Sequence, residues 1–461
     1  MIILNRRGFL KRGCDALAMA AFARSLGMLN FATTASAQSG SDYKALVCIF
    51  MFGGNDANNM IIPHEQAEYD AYAAVRTTAS GINIARDTLL QIRPPSLNRQ
   101  LGFHPSMPHL HRLWNRGNVA IVSNVGTLVE PMTRAQYLAN TAIKPASLFS
   151  HSDQQNQWQA SLSEGLPGTG WGGRMADVTW PQNGGVNFPM VLSVAGNNLF
   201  ATSAAHEMLN VPSTGTFGLR GFSSSAANTA RFNAMQTLLS QDADKTLVAR
   251  SAGTIDQAID YSTVIDPIVN STSSTIEKMF AKQSASLSRQ LLRVAKIIER
   301  RETLGLKRQI FFCSIGGFDT HNGQATAQAS LLQQMSLGMK TFYDATEKLG
   351  VASRVTTFTL SDFGRTLQPA AGAGTDHAWG SHQIVMGGAV RGGDVYGAWP
   401  TLALGGPDDS GSEGRWIPTT AVDQYAATIA QWYGVSTSDM PTVLPNLNRF
   451  ASSDLGFFVV E

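Results

Sequence analysis

The chain has 461 residues and a net charge of +2, and 43% of its residues are hydrophobic while only 15% are charged. This composition excludes an intrinsically disordered chain, which would be poorer in apolar residues and richer in charge. The near-neutral charge argues against nucleic acid as a partner.

The N-terminal segment has the pattern of a removable export signal. Arg6 and Arg7 precede a Phe-Leu-Lys step, a weakly apolar stretch follows, and Ala35-Ser36-Ala37 has the small residues that a signal peptidase reads. Paired arginines are typical of twin-arginine signals, and a general secretory signal with two chance arginines is the alternative. We predict a twin-arginine signal peptide over residues 1–37, the twin-arginine translocase as export partner, and a periplasmic or secreted mature protein.

The mature chain is expected to be one domain without a membrane anchor. Arg24 interrupts the apolar stretch of the signal, and no later stretch approaches 18 uninterrupted apolar residues. Cleavage would remove five basic residues and one acidic residue, which changes the net charge to −2. Residues 38–461 would form the domain, with a Ser/Ala-rich insertion around 201–275.

The first predicted element is a buried strand over residues 45–52, a continuous apolar run that stops at Gly53-Gly54. Shorter apolar runs at 119–122 and 190–192 predict two further strands. Cys48 lies in the first run, and Cys313 lies in a later one. Two buried free thiols are the simpler interpretation, and one disulfide between neighbouring strands is the alternative.

The second half of the chain alternates between helices and strands. Apolar residues at helical spacing predict helices over 287–298 and 332–349, and apolar runs predict strands over 309–315 and 354–360. This alternation indicates an α/β fold in which helices cover both faces of a parallel sheet. Functional residues of such sheets lie beyond the carboxyl ends of the strands.

Three acidic residues follow predicted strands. Asp56 follows the first strand, Asp319 follows the 309–315 strand with His321 close behind, and Asp362 follows the 354–360 strand. Carboxylates and imidazoles that meet at one edge suit a divalent cation. Each also has a structural interpretation: Asp56 as a helix cap or turn residue, His321 as an exposed turn residue, and Asp362 as a helix cap paired with Arg365.

Four motifs resemble, in order, those of the bacterial exported proteins called domain of unknown function 1501. They are Gly53-Gly54-Asn55-Asp56, Gly316-Gly317-Phe318-Asp319-Thr320-His321, Ser361-Asp362-Phe363-Gly364-Arg365-Thr366 and Gly374-Thr375-Asp376-His377. The resemblance covers nearly the whole mature chain. That family is related to the alkaline phosphatase and sulfatase superfamily, so the resemblance implies an alkaline-phosphatase-like three-layer α/β/α sandwich with a mostly parallel central sheet.

The resemblance also implies a divalent metal ion, which could be zinc, calcium or manganese. The ligands that it suggests are Asp56, Asp319, His321, Asp362, Asp376 and His377. Phe363 stands where the superfamily has a histidine ligand, so one of its two metal positions would be incomplete. A site for one metal ion and a degenerate, non-catalytic site both follow from this departure.

The superfamily nucleophile lies at a helix start between the first aspartate and the middle motifs. Residues 145–153 occupy that stretch here, and Ser150 with His151 beside it is the best match for a catalytic pair, while Thr133 and Ser147 are further candidates. Asn124 and Arg134 are candidates for contacts with an anionic substrate.

Two functions follow from this pattern. The first is an exported metal-dependent hydrolase that acts on phosphate or sulfate esters, in small molecules or polymers. The alternative is a catalytically degenerate protein of the same fold that binds an envelope or polysaccharide partner.

Overall fold

The computed structural model describes residues 43–459 except 166, 219–224, 242–243 and 273. The predicted signal peptide, residues 1–37, therefore lies outside the described residues. The strands are Lys44–Phe52 (β1), Ile61–Pro63 (β2), Leu90–Ile92 (β3), Leu101–Phe103 (β4), Val119–Gly126 (β5), Val191–Ser193 (β6), Met208–Asn210 (β7), Arg308–Gly316 (β8), Val355–Ser361 (β9), Ser381–Gly387 (β10), Val395–Tyr396 (β11) and Thr420–Ala421 (β12).

Helices occupy most of the connections between these strands. They are Ala57–Met60 (α1), Gln66–Val75 (α2), Pro108–Asn115 (α3), Arg134–Ala139 (α4), His151–Ala160 (α5), Trp171–Thr179 (α6), Ala226–Leu239 (α7), Thr246–Val269 (α8), Thr275–Phe280 (α9), Ser286–Glu299 (α10), Arg301–Leu304 (α11), Gln324–Lys348 (α12), Val422–Tyr433 (α13) and Met440–Val443 (α14). The strands and helices predicted in both halves of the chain are confirmed.

The central sheet has the order β11-β5-β10-β9-β1-β8-β6-β7, with β12 paired to β5. The strand β1 is buried and apolar along almost its whole length and pairs in parallel with both β8 and β9. The strand β10 is antiparallel to β9 and β5. The carboxyl ends of β1, β8 and β9 therefore meet the amino end of β10 at one edge of the sheet.

The fold is the three-layer α/β/α sandwich with a mostly parallel sheet that the sequence predicts. On one face, Trp171 of α6 and Tyr425 of α13 pack against the Phe358 ring of β9, with ring centroids 5.3 and 6.2 Å apart. The helix α10 buries its apolar residues beside α12 and β8. This two-sided cover explains why the central strands are continuous apolar runs rather than alternating ones.

The two cysteines are free and buried. The β1–β8 register pairs Cys48 with Phe312 and Ile49 with Cys313, so the two thiols project to opposite faces of the sheet. Burial raises the pKa of both thiols. The disulfide alternative is therefore wrong.

The Ser/Ala-rich segment 201–275 contains the edge strand β7 and the helices α7 and α8. Its description as an insertion stays a prediction. Across the part of the chain that the structure describes, none of the helices has both the length and the apolar composition needed to cross a bilayer.

Candidate metal centre

Histidines and acids from four segments meet at the edge of the sheet where β8 and β9 end and β10 begins. Asp319 and His321 follow β8, Asp362 follows β9, and Asp376-His377 precedes β10. His151 comes from elsewhere, as the first residue of α5.

Three ligand-type atoms form a compact triangle at this edge. His151 Nε2 lies 3.1 Å from His377 Nε2 and 3.4 Å from Asp319 Oδ1, and the last two atoms are 3.3 Å apart. A tetrahedral zinc site with bonds of about 2.0–2.1 Å has ligand atoms about 3.3–3.4 Å apart. The triangle therefore has the size of one face of such a tetrahedron, and these three residues form a group that could hold a metal ion.

A third imidazole contacts the same pair of atoms. His321 Nε2 lies 2.9 Å from His377 Nε2 and 3.0 Å from Asp319 Oδ1. Three Nε2 atoms and one carboxylate oxygen thus lie in one small region of the surface.

The opposite nitrogen of every imidazole is held by an oxygen acceptor. The Nδ1–H groups donate to Asp362 Oδ2 from His151 (2.6 Å), to the Phe149 carbonyl from His377 (2.7 Å) and to Asp376 Oδ1 from His321 (3.1 Å). A neutral imidazole that donates through Nδ1 keeps a lone pair on Nε2. This arrangement, in which an outer acceptor orients each ring, is the one that protein metal sites use.

Asp362 is a buried acceptor that holds His151 in place. Its Oδ2 also accepts a hydrogen bond from Gln155 Nε2 (2.8 Å), and its Oδ1 accepts one from the backbone N–H of Gly53 (3.2 Å). Burial raises the pKa of Asp362, and the bonds from Gln155 and His151 oppose this effect. With its oxygens engaged in this way, Asp362 lies behind His151 rather than in the triangle.

Asp319 is more exposed and lies beside a buried cation. Burial raises its pKa, but the charge of Arg365 and its hydrogen bond outweigh that effect, and the pKa of Asp319 is lowered. Arg365 also donates from Nε to the Gly54 carbonyl (2.9 Å), from Nη2 to the Gly53 carbonyl (2.9 Å) and from Nη1 to the Thr375 carbonyl. The proposed pairing of Arg365 with Asp362 is replaced by a pairing with Asp319.

Phe363 forms a wall of the cluster. Its buried ring lies 4.8 Å from the His151 ring and 4.7 Å from the His377 ring, measured between centroids. Burial lowers the pKa of His377, which favours the neutral, lone-pair-bearing imidazole. The residue that the sequence resemblance aligns with a superfamily ligand thus packs against two of the imidazoles.

Asp56 has a structural role instead of contacting the cluster. It caps α1 through the backbone N–H of Asn58 (3.1 Å), and Arg76 donates to both of its oxygens (2.6 and 3.1 Å). Gln324 also donates to Oδ2. The helix-cap interpretation of Asp56 is the one that the geometry supports.

The nucleophile candidates have local partners. The Ser150 hydroxyl donates to Asp153 Oδ2 (2.6 Å), whereas His151 Nδ1 donates to Asp362, so these hydrogen bonds do not pair Ser150 with His151. Thr133 caps α4, and Ser147 has a left-handed backbone with φ of 48°.

The two candidates for anion contacts also have protein partners. Asn124 Nδ2 donates to the Ile417 carbonyl (2.8 Å), and Arg134 donates to the carbonyls of Asp409 (2.8 Å) and Gly411 (3.1 Å). Their use by a substrate stays a prediction.

Sequence reasoning missed two contributors. Gln155 lies one helical turn after His151, a spacing at which both side chains reach the same acid, so it could have been found. The Phe149 carbonyl could not, because a backbone acceptor leaves no mark in the residue types. Phe149 has a φ of 73°, an uncommon conformation for a residue with a side chain.

The fold is a three-layer α/β/α sandwich with a histidine–aspartate cluster at the carboxyl edge of its mostly parallel sheet. The chain belongs to the family described as "Protein of unknown function (DUF1501)", whose model matches residues 43–410. No curated protein matches the sequence.

Several solved structures are similar to this chain at low identity. The lipoteichoic acid synthase LtaP from Listeria monocytogenes is 9% identical with a TM-score of 0.33, over 91% of this chain and 80% of that one. A protein in the alkaline phosphatase superfamily from Vibrio parahaemolyticus is 9% identical with a TM-score of 0.37, over 90% and 77%. The PsFucS1 sulfatase from Pseudoalteromonas sp. is 9% identical with a TM-score of 0.36, over 91% and 73%. These similarities carry no argument about activity.

Proposed function

We propose that this protein is an exported, metal-dependent hydrolase of phosphate or sulfate esters. The observation that carries the proposal is the convergence of three Nε2 atoms on Asp319 Oδ1, while each Nδ1 is held by an oxygen acceptor. The lone pairs of Nε2 and Oδ1 atoms that face one another at about 3 Å repel unless a proton or a cation lies between them. A neutral imidazole has one N–H, and in each of these rings it is the Nδ1–H that donates to an oxygen. A metal ion between the Nε2 atoms and Oδ1 therefore fits the donor set.

The donor types favour zinc over calcium and manganese. Imidazole nitrogens together with one carboxylate suit Zn²⁺, whereas calcium and manganese favour sites made largely of oxygen. The ligands in this proposal are His151, Asp319 and His377, with His321 as the fourth. Asp362, Asp376 and the Phe149 carbonyl orient the rings and are not ligands. His151 accordingly moves from the catalytic pair into the ligand set.

A divalent ion held at this site would act as a Lewis acid toward the anionic oxygens of an ester. The first turn of α5 begins at His151, and the free N–H groups of a helix start favour a bound anion. Hydrogen bonds to Gly53, Gly54, Thr375 and Asp319 hold Arg365 in place. Its positive charge offsets the negative charge of Asp319. Ser150 stays the candidate nucleophile, because it precedes His151 at the same helix start.

A single-ion site is the form that Phe363 permits. Its phenyl ring has no donor atom, and its buried position between two imidazoles leaves no side chain there to hold a second ion. The same observation favours the second candidate, a catalytically degenerate protein of the same fold that binds an envelope or polysaccharide partner without cleaving it.

Metal analysis combined with an ester panel tests the proposal. We expect the purified mature protein to contain about one zinc ion per chain and to hydrolyse p-nitrophenyl phosphate or p-nitrophenyl sulfate. Asp319→Ala should lose both properties, whereas His206→Ala, a histidine that stacks on Trp180 away from the cluster, should keep both. Stoichiometric zinc without turnover of either ester would favour the binding protein, and a metal-free protein would contradict the metal-dependent hydrolase.

The nucleophile is tested separately. Ser150→Ala should retain zinc and abolish turnover if the hydroxyl attacks the ester. Full activity of this variant would assign the attack to another group.

Export by the twin-arginine route is part of the proposal. The Arg6-Arg7 pair followed by a Phe-Leu-Lys step supports it. Replacing both arginines by lysine should keep the protein in the cytoplasm of a bacterial host, and unchanged secretion of that variant would indicate a general secretory signal.

A further inference from the structure

We propose that His321 is the displaceable ligand of the site, and that an oxygen of the anionic ester takes its place during binding. This inference rests on the proposed metal-dependent function. It assigns His321 a role different from those of His151 and His377, which form the triangle with Asp319.

The three histidines differ in how firmly their rings are held. Asp362, which holds His151, is fully buried and accepts hydrogen bonds from three groups. His377 is held by a backbone carbonyl. Asp376, which holds His321, has a side chain that is 53% exposed. An exposed carboxylate can exchange its imidazole for water at little cost, so the His321 ring is the one most easily released.

Exposure of the rings follows the same order. The side chain of His321 is 43% exposed, whereas those of His151 and His377 are 29% and 25% exposed. Phe363 packs against the rings of His151 and His377, whereas the His321 ring contacts the His377 ring, with centroids 4.8 Å apart. A rotation of His151 or His377 would therefore disturb more packing than a turn of the more exposed His321 toward solvent.

The backbone of His321 is held firmly, so the motion is confined to the side chain. Gly374 passes so close that a Cβ atom there would lie 2.1 Å from the carbonyl carbon of His321. The hydroxyl of the preceding residue, Thr320, donates to Gln324 at the start of α12 (3.0 Å). Displacement therefore requires only a change of side-chain rotamer and no movement of the loop.

The coordination chemistry gives this motion a purpose. An ion with four protein ligands in a tetrahedron is closed, whereas catalytic zinc sites keep three protein ligands and one exchangeable position. The triangle of His151, Asp319 and His377 supplies three ligands. His321 then closes the site until an anionic oxygen replaces it.

Zinc affinity measured against a competing chelator gives the first test, with a readout independent of turnover. We expect His321→Ala to lower zinc affinity by less than about tenfold, and His377→Ala to lower it by more than about 100-fold. If wild-type protein binds no zinc, the proposed function fails. If wild-type protein binds zinc and both variants lose it equally, only this inference is overturned.

Binding of inorganic phosphate gives the second test. A ligand that must first displace a group binds more weakly by the fraction of protein in the competent state. His321→Ala should therefore bind phosphate several-fold more tightly than the wild type in the zinc-loaded protein. Asp376→Asn, which keeps the histidine but weakens its anchor, should show a smaller gain, and unchanged or weaker phosphate binding in both variants would refute the displacement.

Nitrogen NMR of protein labelled with ¹⁵N-histidine follows the ring directly. Phosphate should shift one zinc-bound Nε2 resonance to the position of a free imidazole, and His321→Ala should identify that resonance by its absence. Three unshifted zinc-bound resonances at saturating phosphate would show that His321 stays bound, and would overturn the inference.

Discussion

Two aspartates follow adjacent parallel strands in the same Gly-Gly-x-Asp pattern, yet their surroundings are opposite. Asp56 comes after β1, has a side chain that is 1% exposed, and is ion-paired with Arg76. Asp319 comes after β8, has a side chain that is 46% exposed, and contacts three imidazoles and Arg365.

The difference lies in how each carboxylate is satisfied. Both oxygens of Asp56 accept hydrogen bonds from protein donors, including both terminal nitrogens of Arg76, so the acid is committed to the interior. At Asp319 the contacts with the histidines and Arg365 all converge on Oδ1. The same local pattern therefore gives a structural acid at one strand end and a candidate ligand at the next.

Removing the partner of the buried acid should have the largest effect. Arg76→Ala leaves the Asp56 carboxylate buried without its guanidinium, and we expect the free energy of unfolding to fall by about 3–5 kcal/mol. Urea denaturation measures this loss, while zinc bound per folded molecule should stay unchanged. Adding Asp56→Asn should recover part of the stability because the unpaired charge is then gone. A loss below about 1 kcal/mol would contradict the structural role.

A third acid, Asp423, shows how burial without so close a guanidinium affects the pH dependence of stability. Burial raises the pKa of Asp423 in α13 to about 7, and the charge of Arg174 lowers it only in part. Since the folded pKa exceeds the unfolded value of about 3.9, this contribution to stability is complete below pH 4 and is lost as the pH rises to 7.

We expect this loss to be on the order of 2–4 kcal/mol in the wild type, since each pKa unit corresponds to about 1.4 kcal/mol. Asp423→Asn should remove it, so the difference in unfolding free energy between pH 4.5 and pH 8 should shrink by that amount. Equal pH profiles for variant and wild type would contradict the assignment.

Removing the exposed acid should affect metal-dependent stability instead. Zinc at 100 times its dissociation constant should stabilise the wild type by about 2.7 kcal/mol, and Asp319→Asn should gain nothing at that concentration. Without zinc, the free energy of unfolding of the variant should be lower by about 1–3 kcal/mol, because the buried Arg365 loses its ion-pair partner but keeps three carbonyl acceptors. Thermal unfolding with and without zinc measures both, and an equal zinc gain in the variant would exclude Asp319 as a ligand.

The smallest effect on the site is expected at Gln155, which donates to the carboxylate that holds His151. Gln155→Ala removes one hydrogen bond to Asp362, which is worth about 0.5–1.5 kcal/mol. We expect a two- to tenfold loss of zinc affinity by calorimetry. Gln66→Ala removes a similar amide–carboxylate bond, to Asp70 on an exposed helix, and should leave zinc affinity unchanged. Equal affinities for both variants would show that Asp362 does not depend on Gln155.

Strand and helix periodicity was sufficient to predict the sheet and the edge at which the acids gather. The strand-end positions of Asp319 and Asp362 follow from alternating elements, since parallel strands share a carboxyl edge. The distinct fates of Asp56 and Asp319 do not follow from this, because Arg76 reaches Asp56 from α2 through tertiary packing. Local spacing carries no information about that approach.

The roles around the imidazoles were harder to predict for a similar reason. His151 stood in the sequence as a partner for Ser150, but its Nδ1 is held by Asp362, 211 positions later in the chain. Asp376 and Asp362 looked like ligands because carboxylates near histidines can take either role. Only the direction in which each ring nitrogen points separates a ligand from the group that orients it.

The backbone of Gly53 contacts three residues of the site, although this residue has no side chain. Its N–H reaches Asp362, its carbonyl reaches Arg365, and a Cβ there would lie 2.3 Å from the Asp319 nitrogen. The backbone of Gly53 thus connects the carboxyl ends of β1, β8 and β9. The main chain therefore determines the geometry of the cluster. Local opening of the sheet edge should displace the residues of the cluster together rather than one at a time.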